Sequence, residues 1–376
     1  MRIVILGLSL SSSWGNGHAT TWRALIRAMA PEHEVLFLER DVPWYAANRD
    51  LPNPDFCRFA LYDGVEALEA WQEEIATADA VIIGSFVTDG IEVAERVAAM
   101  REGALCFYDI DTPVTLAAIE RGDCAYLNRR TIPLFDIYFS FTGGPTLRRL
   151  EQEFGAPQAV ALYCGVDPAR YYPVEVEKRW VLGYLGTYSP DRQPALERLL
   201  IEPARLMPER RFVVAGAQFP DDIEWPANVE RIEHVPPERH REFYAAQAWT
   251  LNVTRADMRA AGYSPSVRLF EATACGTPVI SDDWDGIHDF FRLREGLIVV
   301  QEAEDVAACL ALPEAERLSI AQAGLRRTLA EHTAAHRAET LVAAIRQATP
   351  PRAARPRAAR RQAQFTADQE MEGKRA

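Results

Sequence analysis

The hydrophobic residues of this chain fall into short runs separated by amphipathic stretches. The runs of the first half are Ile3–Leu8, Glu34–Leu38, Ala80–Gly84, Ala104–Tyr108, Ile137–Phe141 and Ala159–Tyr163. They do not alternate with polar residues, which is typical of parallel strands covered on both faces. The stretches between them predict helices at Thr20–Ala30, Ala67–Ala76, Gly90–Met100 and Pro145–Glu153. Alternating strands and helices predict a doubly wound α/β domain.

The second half repeats this organisation after a segment without an apolar period, Gly165-Val-Asp-Pro followed by tyrosines and charged residues. Strands are predicted at Trp180–Gly186, Arg211–Gly216, Val229–His234, Trp249–Val253, Thr277–Ser281 and Leu297–Val300. Helices are predicted at Gln193–Leu206, Pro237–Gln247 and Arg268–Cys275, and over the region Glu314–Gln347. We therefore predict two Rossmann-like, doubly wound α/β domains, residues 1–165 and 180–348, that face each other across a cleft and are joined by a linker at 166–179.

Length and charge agree with this organisation and exclude one class of partner. A chain of 376 residues exceeds one typical core and suits two domains. The formal net charge of -13 argues against nucleic acid as the partner. Residues 349–376 differ, because from Pro351 onward they carry seven Arg or Lys and three Asp or Glu without an apolar period. We expect a disordered basic tail, capable at most of a weak contact with an anionic membrane surface.

Cysteine usage and hydropathy predict a cytoplasmic protein without a metal site. The cysteines are scattered and form no C-x-x-C pair (Cys57, Cys106, Cys124, Cys164, Cys275 and Cys309). The apolar run after Met1 is short and leads into a Ser-rich loop and a helix, without the cleavage site of a signal peptide. No segment has the length of apolar residues that a membrane span requires.

The first strand ends in a loop, Ser13-Trp-Gly-Asn-Gly-His18, with the composition of a ligand-binding turn. Gly15 and Gly17 allow close approach of the backbone to a ligand, and the following helix offers free N–H groups at its start. His18 begins that helix and is a candidate catalytic base or hydrogen-bond donor, or else a capping or packing residue. The spacing is not G-x-G-x-x-G, and only Glu39 provides a carboxylate at the end of the second strand, so the signal for NAD binding is weak.

Another strand end carries two carboxylates, in Tyr108-Asp109-Ile-Asp111-Thr-Pro113. At that edge of the sheet, carboxylates can deprotonate a hydroxyl or bind the oxygens of a sugar. An Asp before Thr-Pro is also a common turn and helix cap. Asp111 is the candidate catalytic residue of the pair.

The second half contains a strand-to-helix junction suited to a phosphate, Gly183-Tyr-Leu-Gly186-Thr-Tyr-Ser-Pro-Asp-Arg192-Gln-Pro194. Gly186 removes side-chain bulk where a phosphate would lie, and Arg192 can donate two hydrogen bonds to its oxygens. Pro194 fits the first turn of the next helix. The alternative is a capped turn with an exposed arginine.

The segment from Tyr263 to Asp282 combines a cation and a carboxylate at one helix start. Arg268 and Glu271 are three residues apart and share a helix face with Ser264. This arrangement predicts that Arg268 binds a phosphate and Glu271 the ribose hydroxyls of a nucleotide. The alternative is an ordinary ion pair between Arg268 and Glu271.

These segments resemble GT-B glycosyltransferases, particularly the spore-maturation CgeB-like branch. Ser264-Pro-Ser-Val-Arg-Leu-Phe-Glu-Ala-Thr-Ala-Cys-Gly-Thr-Pro-Val-Ile-Ser281 is similar to their donor-site segment. Similarity extends to Gly186–Gln193, to the loop before His18 and to Gly165-Val-Asp-Pro168, which resembles their interdomain segment. The resemblance spans about residues 1–345.

The resemblance implies a hexosyltransferase-like enzyme that moves a sugar from a nucleotide-diphosphate sugar to an unidentified acceptor without a metal. It implies that Glu271 binds the ribose and that the Gly15–His18 loop faces the acceptor and the transferred sugar. The diphosphate would be bound by Gly186, Arg192, Ser266, Val267 and Arg268.

Two features depart from the pattern of many retaining relatives. Those enzymes carry a second Glu eight residues before the ribose-binding one, where this chain has Tyr263, and a Lys beside the diphosphate, which is not evident near Arg192. Retention of configuration is expected from the branch resemblance alone. Alternative interpretations are a sugar-nucleotide 2-epimerase, a non-catalytic sugar-nucleotide-binding protein and an NAD-dependent oxidoreductase.

Overall fold

The computed structural model describes residues 1–14, 17–292, 294 and 296–348. Within them the chain forms two parallel β-sheets of seven and six strands, each packed against helices. The predicted fold class, two doubly wound α/β units, is therefore confirmed. Gly15 and the predicted basic tail at 349–376 lie outside the described residues.

The first sheet contains only parallel strand pairs. Its strands are β1 Arg2–Gly7, β2 Glu34–Arg40, β3 Arg58–Tyr62, β4 Ala80–Gly84, β5 Ala104–Asp109, β6 Ile137–Ser140 and β7 Ala159–Ala161. Their order across the sheet is β3-β2-β1-β4-β5-β6-β7. Alternate residues of β1, such as Ile5 and Leu6, are buried in core clusters on opposite faces of the sheet. Both faces are covered, as the apolar runs predict; the edge strand β3 was not predicted.

Helices α1 to α6 connect these strands. They are α1 His18–Met29, α2 Pro43–Ala46, α3 Gln72–Thr77, α4 Gly90–Met100, α5 Thr112–Arg121 and α6 Pro145–Gln152, with 3₁₀ turns at Val65–Trp71 and Ile132–Leu134. Trp22 of α1 is fully buried over the sheet. A Cβ atom at Gly84 would lie 3.0 Å from the Trp22 ring, and one at Gly7 would lie 3.1 Å from its Nε1. Gly7 of β1 and Gly84 of β4 thus leave the space that the Trp22 side chain of α1 occupies.

The second sheet is also entirely parallel. Its strands are β8 Trp180–Leu185, β9 Phe212–Ala215, β10 Val229–Ile232, β11 Gln247–Asn252, β12 Val279–Ser281 and β13 Leu297–Val299, in the order β10-β9-β8-β11-β12-β13. The predicted helix at Gln193–Leu206 consists of α7 Gln193–Leu196, a π-helical turn Glu197–Ile201 and α8 Glu202–Leu206. The remaining helices are α9 His240–Ala245 after a 3₁₀ turn at Pro237–Arg239, α10 Ala256–Ala261, α11 Val267–Ala274, α12 Ile287–Phe290, α13 Ala303–Leu310, α14 Glu314–Glu331 and α15 Ala334–Ala348. In the described part of the chain, no helix has both the length and the hydropathy for crossing a membrane.

The helical region predicted at Glu314–Gln347 consists of α14 and α15, which meet at the start of the linker. Val166 donates its N–H to the His332 carbonyl at 3.0 Å and accepts the Ala334 N–H at 2.8 Å. After this junction α15 packs against α1 of the first half, and its Leu341 and Ile345 are buried in the same core cluster as Trp22. The end of the described chain thus connects the two halves.

Candidate functional site

The carboxyl ends of the two sheets meet at a cleft, where loops from both halves come into contact. The hydroxyl oxygens of Thr142, after β6, and Ser264, before α11, lie 2.9 Å apart. The ring of Trp14, after β1, lies 6.1 Å from the ring of His234, after β10. Open α/β sheets bind ligands at this edge, so the cleft is the candidate site.

On the N-terminal side, the structure brings together the two candidate catalytic residues. His18 is the first residue of α1 and Asp111 immediately precedes α5. Nε2 of His18 lies 3.7 Å from Oδ2 of Asp111. His18 is 6% exposed, and its Nδ1 has no hydrogen-bond partner among the described residues. The pair therefore offers a buried imidazole nitrogen and a partly exposed carboxylate at the cleft.

Asp109, the second carboxylate of this strand end, lies behind Asp111 and is fully buried. It accepts hydrogen bonds from the Tyr138 hydroxyl at 2.5 Å, the Thr115 hydroxyl at 2.8 Å and the Asp111 N–H at 3.2 Å. Burial raises its pKa to about 6, although the Tyr138 and Thr115 bonds oppose that rise. Asp109 thus holds the backbone of Asp111 in place rather than facing the cleft.

Glu39 anchors the loop between β1 and α1 through hydrogen bonds. Its carboxylate accepts the N–H groups of Leu10 at 2.6 Å and Ser11 at 2.8 Å, and the Ser11 hydroxyl at 2.6 Å. Glu39 is fully buried. Because both carboxylate oxygens are used inside the protein, this residue is unsuited to the ribose of a dinucleotide, which argues against the oxidoreductase interpretation. Sequence reasoning missed its role as a support of the loop.

Gly17 lies between that loop and α1, with φ -81° and ψ -10°. A Cβ atom added at Gly17 would meet no heavy atom of the described residues within 4 Å. The glycine is therefore not required by packing inside the protein. It borders open space at the cleft, which is the place where the sequence predicts a ligand.

On the C-terminal side of the cleft, Arg268 lies at the start of α11, and its guanidinium is held by groups from β8 and β11. Its Nε donates to the Leu185 carbonyl at 2.8 Å and its Nη1 to Asn252 Oδ1 at 2.9 Å. Its guanidinium carbon lies 4.8 Å from the centre of the Tyr184 ring. A Cβ atom at Gly186 would lie 2.8 Å from Nη2 of Arg268. Gly186 therefore provides the space in which the guanidinium lies.

The N-terminus of α11 keeps its first N–H groups uncapped by a side chain. Ser266, which precedes the helix, donates its hydroxyl to Asn252 Oδ1 at 2.6 Å instead. The N–H groups of Val267 and Arg268 thus remain suited to an anion beside the Arg268 guanidinium. Asn252, at the end of β11, orients both Ser266 and Arg268, and it was not identified from the sequence.

Arg192 precedes α7 on the same side of the cleft. Its Nη2 donates to the Thr187 carbonyl at 2.7 Å, and its buried Nε has no partner among the residues that the structure describes. Burial lowers the pKa of Arg192, and the neighbouring Arg268 and Arg255 lower it further. Arg268 and Arg255 thus add positive charge near Arg192, partly offset by Asp191, and the region is suited to phosphate oxygens.

Glu271 does not pair with Arg268. It is 4% exposed and accepts the Tyr244 hydroxyl at 3.1 Å, whereas Arg268 donates to Leu185 and Asn252. The predicted alternative of an intrahelical ion pair is therefore not the arrangement in the structure. Glu271 lines a cavity of about 20 Å³ between α1 and the linker. A cavity of this size admits a water-sized group, so a ribose at Glu271 requires the cavity to widen.

The Tyr263 side chain packs between residues of the two halves. Its backbone has φ 48°, and its ring lies 2.4 Å from the position that a Cβ atom would take at either Gly144 or Gly286. The Gly143 N–H donates to the Tyr263 carbonyl at 2.9 Å. The position where many retaining relatives carry a carboxylate thus holds an aromatic contact between domains. Across the described residues, no three His, Cys, Asp or Glu side chains are grouped so that they could hold a metal ion.

Comparison with known proteins agrees with this arrangement. Residues 192–343 match the family model described as glycosyl transferase-like. Sucrose-phosphate synthase from Thermosynechococcus elongatus is similar in structure with a TM-score of 0.66 and 14% identity, over 92% of this chain and 99% of that chain. Anabaena Alr3699/HepE in complex with UDP and glucose has a TM-score of 0.67 and 12% identity, over 92% of this chain and 100% of that chain.

A structure of trehalose-6-phosphate from E. coli bound with UDP-2-fluoro glucose has a TM-score of 0.64 and 12% identity, over 93% of this chain and 100% of that chain. No curated protein sequence matches this chain. The chain therefore has the GT-B fold, and its residues 192–343, which include Arg192, Arg268 and Glu271, are glycosyl transferase-like in sequence.

Proposed function

We propose that this protein is a glycosyltransferase that moves a sugar from a nucleoside-diphosphate sugar to a hydroxyl acceptor. The sugar proposed is a hexose. The observation that carries the proposal is the pairing of two unlike groups at one cleft. Arg192, Arg268 and the uncapped start of α11 lie on the glycosyl transferase-like side. His18 and Asp111 lie on the other side, 3.7 Å from each other.

The arginine side of the cleft binds the donor's diphosphate in this proposal. The bond from the anomeric carbon to the diphosphate oxygen breaks during transfer, and negative charge develops on the leaving diphosphate. Arg268, held by Leu185 and Asn252, and Arg192, with its unpartnered Nε, would stabilise that charge together with the N–H groups of α11. These groups make a metal ion unnecessary for departure of the diphosphate, so we propose a metal-independent reaction.

Glu271 binds the ribose of the donor in this proposal. A carboxylate accepts hydrogen bonds from two neighbouring hydroxyls at once, and Glu271 lies three residues after Arg268 on α11. Tyr244, which donates to Glu271 at 3.1 Å, keeps the carboxylate in place. Because several of the similar structures are complexes with UDP or UDP-glucose, we propose UDP-sugars as the first donors to test.

We propose that the reaction retains the anomeric configuration, as the resemblance to the CgeB-like branch implies. In a retaining reaction of this kind the acceptor oxygen attacks the anomeric carbon from the side of the leaving diphosphate. The diphosphate takes the acceptor's proton, and His18 donates a hydrogen bond to the sugar. The pair of His18 and Asp111 favours inversion as the second candidate, in which the imidazole takes the acceptor's proton. Proton NMR of the freshly formed glycoside distinguishes the two, since its anomeric signal matches the donor only under retention.

Nucleotide binding and turnover test the proposed function in sequence. A thermal-shift panel of UDP, GDP, dTDP, ADP and CMP identifies the base, and the matching nucleotide sugars are then incubated with and without acceptors. A glycosyltransferase is expected to release nucleoside diphosphate and form a glycoside. A change in the sugar of the donor without any acceptor would indicate the 2-epimerase instead, and stabilisation without turnover would indicate a non-catalytic binding protein. A panel in which no nucleotide stabilises the protein would contradict the donor site itself.

A further inference from the structure

Phe86 adopts a strained backbone conformation beside His18. It follows β4 and has φ 64°, a left-handed value that is rare for a bulky residue. Asp89 of the same loop has φ 56°. Strain of this kind persists where the surrounding structure enforces it, often at a ligand site. Here it directs an aromatic ring to the carboxyl edge of the first sheet.

The Phe86 ring forms a wall next to the imidazole. It meets the His18 ring edge-on, with centroids 5.4 Å apart at 87°, and it lies 4.6 Å from the buried ring of Tyr126. It nevertheless remains 37% exposed. Trp14, which follows the neighbouring strand β1, is 50% exposed. The exposed Phe86 ring thus provides an aromatic surface beside the His18 imidazole, whose Nδ1 has no hydrogen-bond partner in the described part of the chain.

The strand-end loops of the first half that surround this surface carry no positively charged side chain. The strand-end loops 8–14, 85–89 and 110–113 contain Asp89 and Asp111 but no Lys or Arg. The arginines that flank these loops face carboxylates, with pairs Arg23–Asp50 at 2.7 Å, Arg40–Asp89 at 3.7 Å and Arg49–Asp41 at 2.6 Å. A phosphate on a ligand at this surface would lie near the partly exposed carboxylate of Asp111 and would find no Lys or Arg in these loops.

We propose that the acceptor is an uncharged, ring-shaped hydroxyl compound, bound with an apolar face on Phe86 and its reacting hydroxyl at the His18 imidazole. The proposal rests on the proposed function, because it assigns the acceptor of the same reaction. It excludes phosphorylated sugars as the preferred acceptors. The aromatic ring supplies contact area to the apolar face, while the imidazole nitrogen and Asp111 provide hydrogen bonds to the hydroxyls.

The test measures binding by calorimetric titration of protein saturated with UDP, or with whichever nucleotide of the panel stabilises it. The probes are phenyl β-D-glucopyranoside, methyl β-D-glucopyranoside and glucose 6-phosphate. Phenyl glucoside is expected to bind about three- to tenfold more tightly than methyl glucoside, as an added aromatic contact implies. Glucose 6-phosphate is expected to bind most weakly of the three.

Phe86→Asn tests the residue itself, because asparagine tolerates the left-handed backbone and removes the ring. It should abolish the advantage of phenyl over methyl glucoside and leave nucleotide affinity unchanged. Trp44→Leu is the matched control, because Trp44 is an exposed ring after β2, and β1 separates β2 from β4 in the sheet. Its loss should change neither the preference for phenyl glucoside nor the nucleotide affinity.

Tighter binding of glucose 6-phosphate than of the neutral glycosides would overturn the proposal. An unchanged phenyl preference in Phe86→Asn, or no binding of either glycoside to the nucleotide-bound protein, would overturn it as well. Failure of every nucleotide to bind would instead contradict the proposed function, and the two failures are thus separable.

Discussion

Nε2 of His18 lies 3.7 Å from Oδ2 of Asp111, although the two residues belong to loops after different strands, β1 and β5. Neither residue caps its helix through a side-chain hydrogen bond: the cap residue of α1 is Gly17, and the Asp111 side chain makes no cap bond to α5. The contact joins a buried imidazole to a partly exposed carboxylate at the cleft. The proximity therefore supports a shared role at the ligand rather than separate structural roles.

We expect His18→Asn to reduce turnover by about a hundredfold or more in the inverting candidate, where the imidazole takes the acceptor's proton, and by about tenfold under retention, where His18 only donates a hydrogen bond to the sugar. Nucleotide affinity, measured by calorimetry, should stay within about twofold because His18 contacts Asp111 and Phe86, in the half opposite the proposed diphosphate site. Asp111→Asn should also lower turnover, and the turnover of the double variant should be only slightly lower than that of His18→Asn. Independent, multiplicative losses in the double variant would show that the two side chains do not act together.

Arg192→Gln should weaken UDP binding more than uridine binding. Its buried Nε has no partner among the described residues. A hydrogen bond to a charged group contributes about 1.5–3 kcal/mol, so the loss for UDP is about ten- to a hundredfold. Uridine has no phosphate and should bind both proteins equally. Arg210→Gln, at an exposed arginine beside Glu209, is the control and should change neither affinity. Equal weakening of UDP and uridine would indicate that Arg192 only supports the fold.

Gly17→Ala should separate stability from function. The backbone at Gly17 has helical φ and ψ, and a methyl group would meet no heavy atom of the described residues within 4 Å. The gain of about 0.4–1 kcal/mol from a less flexible unfolded chain is opposed by the cost of alanine at an N-cap, so the free energy of unfolding should change by less than about 1 kcal/mol. Turnover should nevertheless fall if a substrate fills that space. Denaturant unfolding and a transfer assay on the same preparation measure both quantities. A variant with nearly unchanged stability and full activity would show that ligands do not approach this loop.

Asp109 should make the stability of the protein depend on pH. Burial raises its folded pKa to about 6 from the ordinary 3.8, so between these values the folded state binds more protons than the unfolded state. Stability from this group is present below pH 4 and is lost as the pH rises through 6. Asp109→Asn should therefore flatten the fall in unfolding free energy between about pH 4 and pH 6. An identical pH dependence of parent and variant would show that Asp109 does not titrate in this range.

The sequence was sufficient for most of the fold because buried parallel strands appear as continuous apolar runs. The predicted runs correspond to β1, β2, β4 to β7 and the six strands of the second sheet, with ends shifted by a few residues. Strand β3, Arg58–Tyr62, was missed because it is an edge strand whose residues are mostly half-buried, so its pattern is not distinctive. The end of α14 at His332 was also not visible, since the Val166 contact that fixes the junction comes from a distant segment.

The candidate site was predictable only in part. Motif spacing predicts roles for Arg268, Glu271 and His18, because their residue types and positions suggest that chemistry. The supports of the site were not, because Asn252 contacts Arg268 and Glu39 contacts Ser11 only after folding. Helical spacing also suggested a pairing of Arg268 with Glu271, whereas the Leu185 carbonyl and Asn252 compete successfully for the guanidinium.

The central claim is that α11 binds a nucleoside diphosphate with Glu271 at the ribose. The most direct measurement is calorimetric titration of parent and Glu271→Gln with the nucleoside diphosphate that stabilises the parent. Glutamine keeps the volume of the side chain but loses its charge and one acceptor oxygen, so the account predicts about ten- to a hundredfold weaker binding. Tyr244→Phe removes only the hydroxyl that donates to Glu271 and should weaken binding less. Unchanged affinity in a folded Glu271→Gln protein would contradict the account.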